Sequence, residues 1–212
     1  MSRHKIYLKT MSHKRRSLLI VGTGLACLLC IMALVLISRS RFNPVPNIVA
    51  TASLPATSNL FPVINTANLS TTQTSILKLL QQEYASQPAG TKYADGVEES
   101  WCADFVSWVM KESGNPLTNP NTGGWRIPGT YTLREYYEST GQFKAASTNY
   151  SPKLGDVVLY DNPSPHGQHT NIVIKNDNGI VTTVGGNEGG KIRVQTGKLS
   201  DDVGLVGYGV LE

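Results

Sequence analysis

Residues 17–37 carry no charged side chain over 21 positions and are rich in Leu, Ile, Val and Ala. As a helix such a run spans roughly 32 Å, enough to cross the hydrocarbon core of a bilayer. It therefore divides the chain into a short N-terminal part and a long C-terminal part, and only the long part can build a core. Of the eight basic residues in 1–41, six come before the run and two after it. The positive-inside rule then makes residues 1–16 a cytoplasmic tail and puts the C-terminal part on the outer face of a cell membrane, single-pass. A secretory signal has a shorter apolar region, so a retained anchor is expected, although Ala50, Thr51 and Ala52 further on resemble a cleavage site. Cys27 and Cys30 fall inside the run and read as small apolar residues, not as metal or redox ligands.

The net charge of +4 misleads as a total. Of 19 basic residues, eight lie in residues 1–41, where there is no acid; the other 11 face all 15 acids in residues 42–212, which sum to −4. The basic pI reports the N-terminal tail and its surroundings, so a nucleic-acid-binding surface is not implied. From residue 42 to 77 there is no charge at all, and Pro44, Pro46, Pro55 and Pro62 are spread among Asn, Ser, Thr and Ala. Residues 38–65 thus read as a poorly ordered tether, with a folded domain over 66–212.

Inside that domain the texture changes once. Ile76, Leu79, Leu80 and Tyr84 mark one face of a helix that ends before Pro88. A second helix is expected over residues 101–114 and a third over about residues 131–139, stopped by Gly141. After Pro152 come short β-branched runs at 156–160, 170–175, 179–184, 191–195 and 206–211, separated by Gly, Asn and Pro. Helices first and strands after predict an α+β domain with an antiparallel sheet packed on the helices.

The second helix holds Cys102, with Phe105, Val106 and Val109 following at offsets of three, four and seven. That spacing is one apolar face, with Ser100 as candidate N-cap and Gly114 as C′ glycine. Cys102 then sits in the first turn, where unpaired N–H groups and the helix dipole favour the thiolate, the nucleophilic form. A cysteine nucleophile needs a base, and the base needs an orienting partner. His4 and His13 lie on the far side of the membrane segment, which leaves His166 and His169. His169 opens the strand HTNIVI, where alternation places His169, Asn171 and Val173 on one face and Thr170, Ile172 and Ile174 on the other. It is preferred as base over His166 of the loop PSPHGQ, because regular elements hold geometry better. Asn187, in the turn after GIVTTV, can accept the imidazole N–H and fix the tautomer; its neighbour Glu188 is the alternative. Asp156 reads as a turn-stabilising residue. Trp101, Trp125 and Tyr131 are candidates for lining a substrate cleft. The scheme calls for no cofactor and no metal.

Together CADFVSW from Cys102, PKLGDVV at 152–158, HTNIV from His169 and GGN at 185–187 resemble the CHAP family, the cysteine, histidine-dependent amidohydrolases/peptidases. The resemblance covers about residues 70–212. It implies a papain-like fold, peptidoglycan as the partner and cleavage of one of its amide bonds, at the N-acetylmuramoyl-L-alanine linkage or within the peptides. It carries over Cys102 as nucleophile, His169 as base and Asn187 as third residue. One position departs: many members have Glu two residues before the Asn, and here that position is Gly185. The alternative expectation is therefore a catalytically weak module of the same fold that binds the cell wall.

Overall fold

The computed structural model describes residues 60–212. The expected tail, membrane helix and most of the tether, with His4, His13, Cys27 and Cys30, lie outside the described residues. Among the described residues no helix is long and apolar enough to cross a membrane.

Within the described residues three α-helices precede the strands: α1 (Thr71–Ser86), α2 (Cys102–Glu112) and α3 (Thr130–Ser139). Helix α1 begins with a capping box, in which the Ser70 hydroxyl accepts from the Gln73 amide while the Gln73 side chain accepts from the Ser70 amide. It ends on Gln87 in the left-handed region. Phe61 and Ile64 pack against the core, Phe61 through an edge contact to Tyr84 with ring centroids 5.6 Å apart. Helix α2 ends as expected. Gly114 takes φ +85°, its amide donates to Lys111 O and the next amide donates to Met110 O, the paired bonds of a Schellman motif.

Six strands follow: β1 (Phe143–Ala145), β2 (Val157–Tyr160), β3 (His169–Asp177), β4 (Ile180–Gly185), β5 (Arg193–Lys198) and β6 (Leu205–Gly209). They form one antiparallel sheet in the order β1-β6-β2-β3-β4-β5. The domain is α+β, as the switch of texture after Pro152 implies. The three-residue β1 has too short a pattern to stand out in the sequence, and the strand expected at 191–195 starts two residues later.

The sheet is covered on both faces, which is why β2 is buried along its whole length. Its helix-facing side carries Val157, Leu159, Ile172, Ile174 and Val184. These pack with Ile76 and Leu80 of α1, Phe105, Val106 and Val109 of α2, and Leu133 and Tyr137 of α3. Burying each such aliphatic side chain contributes about 1.5–3 kcal/mol relative to leaving it in water. Val158, Tyr160, Val173, Val181, Tyr208 and Leu199 form a second apolar cluster. Asp156 ties the sheet's start: its carboxylate accepts from Tyr150 Oη (2.7 Å), the Lys153 amide (2.8 Å) and the Leu211 amide (2.9 Å). The turn role expected of it is met.

Candidate active site

Helix α2 packs on β3, and this contact brings Cys102 to His169. Cys102 is the first residue of α2. The N-cap is Trp101, not Ser100, and no side chain caps the helix. The first helical backbone bond is from the Phe105 amide to Trp101 O at 2.9 Å, so the preceding amides of the first turn have no intrahelical acceptor. Such an uncapped start carries partial positive charge beside the sulfur.

His169 is the first residue of β3 and pairs with Tyr160 of β2. Its side chain is 8% exposed. Nε2 lies 3.4 Å from Glu188 Oε1, which leaves Nδ1 as the ring nitrogen free to serve Cys102, whose sulfur is close enough to act on the ring. Burial alone would disfavour the imidazolium. The hydrogen bonds to Cys102 and Glu188, and the charges of both, outweigh burial and push His169 up to about 9. His169 is therefore a cation at neutral pH. Because its folded pKa lies above the usual 6.5, it stabilises the fold fully below that value, and this contribution is lost as pH rises through about 9.

The contact to Nε2 comes from Glu188 and not from Asn187. Asn187 sits beside it with φ +60°, a left-handed turn residue that lines one cavity together with His169 and Glu188. Its backbone turns the chain so that the next side chain, Glu188, reaches the ring. Glu188 is itself fixed: Gln195 Nε2 donates to Oε2 at 2.5 Å, and the carboxylate is 7% exposed. Gly185 makes the room. A Cβ on Gly185 would come within 2.3 Å of Glu188 Oε1 and 2.3 Å of Asn171 Oδ1. The absent family carboxylate at 185 is thus replaced by one arriving from three residues later, in the space a side chain at 185 would fill.

The remaining sequence candidates fall elsewhere. Trp101 is a core residue, 7% exposed, stacked on Tyr93 at 5.3 Å between ring centroids. Its indole lies against Gly90 and Gly186, where an added Cβ would approach to 2.2 Å and 2.6 Å. Packing therefore fixes this tryptophan, which anchors the residue just before Cys102. Gly186→Ala should destabilise the domain by about 1–3 kcal/mol through overpacking, read as a lower urea midpoint at unchanged slope. Trp125 is half-buried, with Lys111 Nζ 4.7 Å from its ring, against the last turn of α2 and not the first. Tyr131 is 65% exposed and lines a small cavity with Tyr160 and Gln168, the residue before His169. His166 is exposed, its ring centroid 5.8 Å from that of His169 and 5.7 Å from that of Tyr160.

Arg126 has a role the sequence did not disclose. Its Nε donates to the buried Asp104 Oδ1 at 2.7 Å and Nη2 pairs with Glu99. Asp104 lies in the first turn of α2, two residues from Cys102; burial pushes its carboxyl up to about 7, and the Arg126 guanidinium is the cation beside it. Only the fold brings residues 22 positions apart together here, so no local pattern could have revealed the pair.

A cysteine at an uncapped helix start, facing a strand histidine that a carboxylate orients, defines a site of the cysteine-nucleophile hydrolase type. Over residues 92–187 the chain matches the family model of the CHAP domain, a span that includes Cys102 and His169, and this supports the CHAP family for the chain. CHAP domains are generally cysteine- and histidine-dependent amidohydrolases, in a family of peptidoglycan hydrolases and peptidases. No curated protein matches the chain.

Proposed function

We propose that the protein is a membrane-anchored hydrolase of the extracytoplasmic face that cleaves an amide bond of peptidoglycan. Cys102 is the nucleophile, His169 the acid–base residue and Glu188 the carboxylate that orients it. The observation that carries this reading is the position of the His169 ring between Cys102 and Glu188. The anchor rests on the uncharged run at 17–37. The chemistry derives from the protonation states. The thiolate adds to the amide carbonyl, and the developing oxyanion is met by the uncapped amides of the first turn of α2, that of Cys102 foremost. The imidazolium gives its proton to the leaving amine, and the C–N bond breaks to leave a thioester on Cys102. Neutral His169 then takes a proton from water, whose oxygen displaces the sulfur and restores the thiolate–imidazolium pair.

The buried carboxylate at Glu188 weighs against the alternative of a catalytically weak wall-binding module. That alternative leaned on the missing Glu at 185, and Glu188 offers a carboxylate to the ring by another route. Purified wall sacculi treated with the full chain should release soluble fragments with new amino or carboxyl ends, identified by mass spectrometry. Prior alkylation, mapped to Cys102 by the same method, should stop the release. Unchanged release after complete modification of Cys102 would refute the nucleophile; absence of any release by the unmodified chain would favour the binding module.

A further inference from the structure

The described domain carries three arginines, Arg126, Arg134 and Arg193. Arg126 pairs with Asp104 and Glu99, and Arg134 pairs with Glu138 at 2.7 Å. Among the described residues Arg193 alone of the three faces no carboxylate. It is nevertheless held. Its Nε donates to the Glu188 carbonyl at 2.8 Å. Its strand begins next to Ile192, whose amide and carbonyl are both gripped by the side-chain amide of Gln87, at 3.0 Å and 2.8 Å. Arg193 lines a cavity of about 390 Å³ whose other walls include His169, His166 and Asn187.

The cavity reaches His169 but Cys102 is not among its walls, so what enters it is a part of the substrate that passes the histidine and lies beyond the cleaved bond. Its walls set the Arg193 guanidinium and the His169 ring against the one carboxylate of Glu188, in a domain that sums to −4. Glu188 turns its carboxylate inward to His169 and Gln195, while the guanidinium meets the open space. With Nε committed to a carbonyl, the terminal nitrogens keep a planar fork suited to two oxygens of one carboxylate. We propose that Arg193 is the specificity residue for a free carboxylate on the stem peptide, beyond the amide cleaved by Cys102 on the His169 side. This rests on the hydrolase reading above and adds the class of peptide accepted: acidic rather than amidated.

The test uses the full chain and a soluble muropeptide with free stem carboxylates, beside the same muropeptide amidated with carbodiimide and ammonia. The wild-type chain should favour the free acid by about tenfold in kcat/KM, mostly through KM. In Arg193→Gln that ratio should fall to about one, and Arg193→Lys should restore part of it, since a point charge lacks the fork. A loss acting only through the Glu188 carbonyl would lower both substrates in parallel and keep the ratio, which would overturn the proposal. Inorganic phosphate inhibiting through Arg193 where equal acetate does not would overturn the carboxylate assignment as well. If the wild-type chain releases nothing from either muropeptide, the hydrolase reading fails separately. The dissociation constants of the two muropeptides then decide, and equal values overturn the proposal.

Discussion

His169→Ala should reduce fragment release from wall sacculi by about 10⁴-fold or more, the scale expected when one member of a nucleophile–base pair is removed. His166→Ala should retain most of the activity. Both rings border one cavity, but His169 is a buried strand residue with Glu188 at its Nε2, whereas His166 is an exposed loop residue in tilted contact with the rings of Tyr160 and His169. A base must stay within hydrogen-bond reach of the thiol through the whole reaction, and packing holds only His169 there. Release measured on one wall preparation separates the two. If His166→Ala is inactive while His169→Ala works, the base has been misassigned and the role given to β3 goes with it.

The second large effect concerns the carboxylate. Glu188→Gln keeps the shape and removes the carboxylate, so His169 loses one of the two neighbours that raise it to about 9. Activity in the wild-type chain should fall as pH rises through that value, because the imidazolium is the acid for the leaving amine. In Glu188→Gln this alkaline limb should move down by about one to three pH units, with the rate at neutral pH lower by about 10²-fold. Asn187→Ala is the control. Its loss should be small and leave the pH limb in place, and a shift equal to that of Glu188→Gln would return the orienting role to Asn187. Gly185→Glu, which restores the residue common in relatives, should harm the enzyme, since its Cβ would meet Glu188 Oε1 and Asn171 Oδ1 at 2.3 Å. A Gly185→Glu chain more active than wild type would show that the two positions are interchangeable.

How much could be read from the sequence depends on how local each signal is. Phe105, Val106 and Val109 repeat at helical spacing, and all three are fully buried. His169 opens a β-branched run, and that run is a strand. Gly114 comes after the apolar face and closes α2 in the left-handed conformation. Partners set by a turn were harder. Whether Asn187 or Glu188 reaches His169 depends on one left-handed residue, and a family pattern pointed to the neighbour. Aromatic residues misled for a related reason: Trp101 and Trp125 have the composition of a cleft wall, but only packing distinguishes a wall from a core. The Arg126–Asp104 pair and the Gln87 grip on Ile192, 105 positions away, have no sequence signature.

The strand order also governs when this domain can exist. Strand β6 is the last strand along the chain, yet it lies inside the sheet, between β1 and β2. Until residues 205–209 have been made, β2 keeps one open edge and β1 has no partner. A ribosome-bound or half-translocated chain can form α1 and α2 from local contacts but cannot complete the sheet. For a chain tethered by residues 17–37, the hydrolase would then mature only after the whole domain had reached the wall side. Synthesis order itself would keep an unfinished enzyme silent during export.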